Sequence, residues 1–283
     1  MSIAIITDSS AGISVESAQN EGIFVARMPL SINGKEYMEA TNISRNDVIS
    51  AMRQGQTVQT SQPPVGQLML LIDELLKEHD SCLYIPISSK LSGSYQTAVS
   101  IAQDYNGRLV VVDALQVSAP LYATVVEAKQ LADNGMSAEA IKSLIESEQF
   151  MDAALIPEDI VYLKRGGRIS SAAAAVANLL KIVPVLRVFD GSIDLADKVR
   201  THKKAVKTGI ELILKDLNHE DYNIFVLNGD CDDKLYSATV KEVESIIQGK
   251  IIQREIYPIV LAHTGPGTIA VAIRKKLLKG STK

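Results

Sequence analysis

Hydroxyls and a glycine crowd one short stretch of the chain, Ser88-Ser89-Lys90-Leu91-Ser92-Gly93-Ser94. An apolar run from Cys82 to Ile87 leads into it, and a helical pattern of Ala98, Val99, Ile101 and Ala102 leads out. The spacing predicts a strand, a polar turn and a helix start. A helix N-terminus offers unpaired backbone N–H groups and a partial positive charge, so this turn is suited to an anion. Ser92 or Ser94 would equally serve as a plain helix cap, and on this stretch alone capping is the readier reading.

Other groups with chemical potential are scattered along the chain. Asp8-Ser9-Ser10 ends a short apolar strand in the same manner as the serine turn. Thr60-Ser61-Gln62-Pro63-Pro64 runs extended, because each proline pushes the residue before it out of the helical region. In Lys164-Arg165-Gly166-Gly167-Arg168 three cations flank a glycine pair; they form either a solvated patch or a receptor for phosphate or an acidic partner. His79 and His219 lie among charged residues, and His202 lies in a basic helix start. His263 differs, since an expected apolar strand (Ile259 to Ala262) delivers it to Gly265-Pro266-Gly267, as a structural or a ligand-contacting histidine.

Several reaction classes find no support. Gly265-Pro266-Gly267-Thr268-Ile269-Ala270 matches the dinucleotide fingerprint formally, with an amphipathic helix expected to follow to Leu278. The fingerprint needs a second strand with an acid about 20 residues on, and the sequence ends at Lys283. There is no Walker A sequence. Ser92, Ser94 and His263 invite comparison with a serine hydrolase, but no G-x-S-x-G elbow surrounds either serine and no acid is singled out to orient the histidine. Cys82 and Cys231 have no metal-ligand spacing and suit a reducing cytosol. A net charge of −4 argues against general nucleic-acid binding. The N-terminal apolar run is too short for a signal peptide, and the stretch from Ile169 to Val188 is too broken by polar residues to span a membrane.

The elements that must hold these groups alternate. Strands are expected at Ser2–Thr7, Cys82–Ile87, Leu109–Val112 and Ala153–Ile156, with helices at Val65–Lys77, Ser118–Asp133 and Ser137–Glu148 between them. Phe24–Ile32 and Lys35–Met38 flank Asn33-Gly34, a hairpin signal. This pattern predicts an α/β protein whose N-terminal sheet is open and mostly parallel, where ligands sit beyond the C-terminal strand ends. The second half, with a hairpin around Asp190-Gly191, predicts a mixed sheet. At 283 residues two domains are expected, 1–157 and 158–283, the boundary being set by the change of pattern near Pro157.

One combination of motifs goes further. Thr7-Asp8-Ser9, Thr60-Ser61-Gln62-Pro63, Leu91-Ser92-Gly93-Ser94-Tyr95, Lys164-Arg165-Gly166-Gly167-Arg168-Ile169-Ser170, Asn178-Leu179-Leu180-Lys181-Ile182, Val199-Arg200-Thr201 and His263-Thr264-Gly265-Pro266-Gly267 occur in that order. Together they resemble the DegV family of bacterial fatty-acid-binding proteins, which includes the binding subunit of fatty acid kinase. The resemblance implies two α/β domains with a long-chain fatty acid between them, no cofactor, and no catalytic activity of the protein alone. It further implies a cytoplasmic protein that presents the carboxylate to a separate kinase subunit and carries the acyl phosphate onward towards phospholipid synthesis, with membrane contact at most transient.

Carried over by position, Thr60 and Ser92 match residues that hydrogen-bond the carboxylate, with Gly93 and Ser94 contributing from the same turn. His263 matches a histidine near the head group, and Arg168 and Arg200 match positions tied to the kinase partner. Lys90 departs from the family, in which glycine is common there, and Asn228-Gly229-Asp230 replaces a strand end that often carries histidine. The resemblance gives the energetics a scale. A helix-end charge contact is worth about 0.3–2 kcal/mol, whereas roughly 15 buried methylenes at ~0.8 kcal/mol each have a transfer term near 12 kcal/mol. The tail would therefore set affinity and the hydroxyls register. A serine-dependent acyl hydrolase, or a binding protein for another lipid, are the competing expectations.

Overall fold

The structure is a computed structural model, and it describes residues 2–176, 182–215, 217–247 and 249–278. In chain order the first elements are β1 (Ile3–Asp8), α1 (Val15–Glu21), β2 (Ile23–Ala26), β3 (Pro29–Ile32), β4 (Lys35–Met38), α2 (Arg45–Arg53) and β5 (Val58–Thr60). Then come α3 (Val65–Glu78), β6 (Ser81–Ile85), α4 (Ser94–Ala102), β7 (Leu109–Val111), α5 (Ser118–Asp133), α6 (Ala138–Ser147) and β8 (Met151–Ile156). The remainder is α7 (Val161–Gly166), α8 (Ser171–Val176), β9 (Val183–Phe189), β10 (Ser192–Val199), α9 (His202–Leu214), β11 (Tyr222–Gly229), α10 (Asp233–Ile247), β12 (Ile252–Glu255), α11 (Pro258–Thr264) and β13 (Thr268–Lys275).

These elements form two compact units, 1–44 with 60–149 and 277–283, and 45–59 with 150–276. In the first, a parallel sheet has the order β2-β1-β6-β7. Side chains alternate across it, as a strand's two-residue period requires. Ile3 and Ile5 of β1, with Leu83 and Ile85 of β6, join Leu121 and Val125 of α5 and Ile141 and Ile145 of α6. Ala4 and Ile6, with Cys82 and Tyr84, join Leu68, Ile72 and Leu75 of α3 and Ala98 and Ile101 of α4. Helices thus cover both faces, and the C-terminal strand ends are left to the polar turns.

The second unit carries a mixed sheet of order β10-β9-β8-β13-β11-β12. Ala154, Ile156, Val185, Val226, Val271 and Ile273 of this sheet bury against Val206, Ile210 and Ile213 of α9 and Val243 of α10. The helix lies close: a Cβ added at Gly209 of α9 would stand 2.8 Å from the Ala154 Cβ. Helix α2 belongs here, because Arg45 donates to the backbone carbonyls of Ile256 and Asn228, each at 3.1 Å.

Three expectations are corrected. The segment from Ile259 to Ala262 is helix, not strand: Pro258 stands at its first turn, where the missing N–H costs nothing. The expected C-terminal helix is instead the strand β13, buried at every position from Thr268 to Arg274. It lies between β8 and β11, and a strand covered on both faces reads as a continuous apolar run that periodicity cannot separate from a buried helix. Finally, β8 pairs with β9 and β13, so the second unit resumes at Phe150 rather than near Pro157. Of the motif at 178–182, Asn178 to Lys181 lie outside the described residues.

Candidate ligand-binding site

Buried polar contacts build the turns at the C-terminal edge of the parallel sheet. Asp8, fully buried at the end of β1, accepts from the Ser10 N–H and the Ile87 N–H, both at 3.0 Å, and from the Ser10 hydroxyl. Burial raises its pKa, and the three hydrogen bonds pull the other way. One carboxylate therefore ties the end of β1 to the end of β6. The adjoining Ser9 hydroxyl accepts from the Met28 N–H at 2.9 Å.

Beyond β6 the chain is held at each step. Ser88 N–H donates to the Gln116 carbonyl at 2.9 Å, and Ser89 N–H to Asp113 Oδ1 at 3.2 Å. The Ser88 hydroxyl accepts from Lys90 N–H, and the Ser88 carbonyl from the Leu91 and Ser92 N–H groups. The Ser92 hydroxyl lies 2.9 Å from that of Ser94 and accepts from the Ser94 N–H at 3.2 Å. Gly93 stands immediately before α4 and has no side chain to cap it, but the Ser92 hydroxyl serves one free donor of the helix start, the N–H of Ser94. Ser92 and Ser94 also form a local hydroxyl pair, with Ser92 half-buried and Ser94 buried.

Thr60, half-buried, ends β5 where the chain enters the first unit. The Ser61 N–H is fixed by the Pro29 carbonyl at 3.0 Å. Gln62 then reaches α4: its Oε1 accepts from the Thr97 hydroxyl at 3.2 Å and would lie 3.3 Å from a Cβ at Gly93. The Thr60 segment and the Ser92-Gly93-Ser94 turn therefore meet through Gln62. Lys90 is exposed beside this turn.

His263, Arg168 and Arg200 belong to the second unit. His263 stands in the last turn of α11, not on a strand. Its pKa is lowered to about 4, first by burial and then by the nearby Arg168 charge, so the imidazole is neutral at pH 7. Arg168 is exposed, and its guanidinium donates to the Gly166 carbonyl. Arg200 is exposed after β10, next to Thr201, whose hydroxyl caps α9 by accepting from the Lys204 N–H at 3.2 Å.

The two cysteines are buried and free, their thiols pushed up to about 11 by burial, which leaves them poor nucleophiles. Among the described residues no group of three or more His, Cys, Asp or Glu side chains is placed to hold a metal ion. No helix among them is long and apolar enough to cross a membrane.

The family model described as "Uncharacterised protein, DegV family" matches residues 2–276. The chain belongs to the DegV family. A DegV domain-containing protein of Streptococcus pneumoniae is 32% identical over 276 residues, which cover 96% of this chain and 98% of that protein. A DegV family protein from Thermus thermophilus, described by its fatty acid binding, has a TM-score of 0.88 at 28% identity, over 98% of this chain and 100% of that one. DegV of Bacillus subtilis, described as a fatty acid binding protein, has a TM-score of 0.85 at 26% identity, over 98% and 100% of the two chains.

In this DegV chain two residues inside the motifs have supporting roles that the motifs alone do not assign: Asp8 joins two strand ends, and Gln62 joins the Thr60 segment to α4. An acidic residue closing an apolar strand, followed by two serines, is the signal for the first. Nothing local signals the second, whose partners lie 31 and 35 positions away.

Proposed function

We propose that this protein binds a long-chain fatty acid, with the carboxylate received by the hydroxyls of Thr60 and Ser92, and by Gly93, Ser94 and His263. The observation that carries the reading is the hydroxyl turn itself. Ser92 and Ser94 stand side by side at the start of α4, at the C-terminal edge of a parallel sheet, on a backbone fixed at Ser88, Ser89 and Asp8. A carboxylate needs several donors converging on it, and a turn that does not have to rearrange supplies them at least cost in ordering. Fatty acid binding by solved relatives above 25% identity supports the same ligand class.

In this reading the protein is a cytoplasmic carrier rather than an enzyme. It presents the carboxylate to a separate fatty acid kinase subunit, which forms the acyl phosphate, and the exposed Arg168 and Arg200 dock that partner. Organic extraction of the purified protein followed by mass spectrometry tests the ligand: a stoichiometric acyl chain is expected, and none, even after incubation with lipid, would sink the proposal. Ser92→Ala should weaken fatty acid binding by about tenfold, the size of one hydrogen bond to a charged group. Charge reversal at Arg168 and Arg200 should impair phosphorylation by the kinase while sparing lipid binding. Equal loss of both would remove the docking role.

A further inference from the structure

The loop that carries Arg168 lies against His263, and the contact is close. A Cβ added at Gly166 would stand 2.4 Å from His263 Nδ1, and 3.4 Å from Cγ and Cε1. Real side chains do not approach so closely, so the imidazole occupies the space that any other residue at position 166 would fill. Gly265, two residues after His263, is bedded in the same way. A Cβ at Gly265 would lie 2.4 Å from the Tyr162 ring, and the Tyr162 hydroxyl is itself held by the Met52 carbonyl at 3.1 Å. Gly265 N–H closes α11 on the Leu261 carbonyl at 2.8 Å, and Gly267 N–H is held by the Gly229 carbonyl at 2.8 Å.

We propose that α7 is the bed that sets the His263 ring, with Gly166 and Tyr162 as positioning residues for the fatty acid head group. This rests on the proposed carboxylate site and extends it to residues that touch no ligand. Gly166 and Gly265 are then two halves of one device. Gly166 admits the ring, and Gly265 admits the Tyr162 side chain against the turn that follows it. Arg168 donates to the Gly166 carbonyl, so Arg168 is two contacts from the imidazole. A neutral ring at pH 7 suits this task, since it offers an N–H to a carboxylate without a fixed charge of its own.

The control is the neighbouring glycine. Gly167 has φ +69° but nothing within 4 Å of an added Cβ, so Gly167→Ala strains the backbone without touching His263. Gly166→Ala should move the His263 imidazole resonances in heteronuclear NMR and weaken binding of a fluorescent long-chain fatty acid by about tenfold, one lost hydrogen bond to a charged group. Gly167→Ala should lower the melting temperature and leave both readouts near wild type.

A double-mutant cycle isolates the contact. Removing the ring should relieve the clash, so Gly166→Ala should cost less melting temperature in a His263→Ala background than in the wild type. If Gly166→Ala folds only in that background, the proposal stands. Equal costs in the two backgrounds, failure to fold in both, or His263 resonances that respond alike to the two alanine substitutions would overturn it. The head-group role falls if the ring moves and affinity does not. The resonances and the cycle need no ligand. A wild-type protein that binds no fatty acid therefore removes the carboxylate site, and with it the head-group role, while leaving the bedding of His263 to be judged by these two measurements.

Discussion

The serine turn of the first unit and the Gly-Pro-Gly turn of the second are held in place by opposite means. Hydrogen bonds fix the first: Asp8, Ser88 and Asp113 each take backbone N–H groups from the chain after β6 or β7. Steric contact dominates in the second, where Tyr162 and Glu158 occupy the volume left by two absent side chains at Gly265 and Gly267. A hydrogen-bonded turn tolerates changes of size and fails when a donor or acceptor is lost. A close-packed turn behaves the other way round.

The sharpest break of that comparison is Gly267→Ala. The new Cβ would lie 1.8 Å from Glu158 Oε2 and 2.5 Å from its Cβ, so swinging the carboxylate aside does not clear it. The φ of +86° adds backbone strain. Glu158 is also the partner of Arg53 at 2.8 Å. A loss of about 2–4 kcal/mol in unfolding free energy is expected by denaturant titration. A loss below ~1 kcal/mol would mean the turn is looser than its contacts imply.

Asp8→Asn addresses the other turn without changing its size. Asparagine keeps one acceptor oxygen and sets an amide N–H against the Ile87 or the Ser10 donor, leaving a buried N–H unpaired. That costs about 1–3 kcal/mol, and relief from burying a charge offsets part of it, so a net loss of about 1–2 kcal/mol is expected. A stabilised variant would show that the carboxylate is not the anchor of the β1 and β6 ends.

The same contrast explains what was legible in the sequence. The parallel sheet and its serine turn were readable because alternation along β1 and the change from apolar to hydroxyl residues are local signals. The end of the chain was not. Ile269-Ala270-Val271-Ala272-Ile273 has no polar face because each of these positions of β13 is buried between β8 and β11, and periodicity cannot tell such a strand from a buried helix. Gly166 and Gly265 were visible as glycines, but their reasons are His263 and Tyr162, each about a hundred positions away. Close contact between distant segments leaves only the small residue behind, and the sequence does not say what fills the space.

A pH titration separates the units more gently. The His263 pKa is lowered from 6.5 to about 4, so the unfolded chain binds the proton more readily than the folded one. Stability contributed by this group is therefore present above pH 6.5 and is lost as pH falls towards 4, at no more than about 1.4 kcal/mol per pH unit. His263→Gln should flatten that part of the stability profile, as measured by denaturant midpoints across pH 4–7. Superimposable profiles for the two proteins would mean that the ring is not desolvated.

The smallest expected effect has the opposite sign. Tyr84 lies on β6 and is fully buried, yet its hydroxyl has no hydrogen-bond partner among the described residues. Burial, and then the charge of Asp8, push the phenol well above its ordinary pKa, so it stays a neutral donor left unpaired. Asp8 and Tyr84 are thus two buried polar groups of one sheet with different standing, the first fully engaged and the second idle. Removing an idle group lets the ring keep its packing with Ile72 and Ala98 while the desolvation cost of the hydroxyl disappears. Tyr84→Phe should therefore be neutral or stabilising by up to about 1 kcal/mol, where Asp8→Asn is destabilising. A clear loss of stability in Tyr84→Phe would show that the hydroxyl is engaged after all, and that the hydrogen-bonded half of the comparison extends beneath the turns into the core.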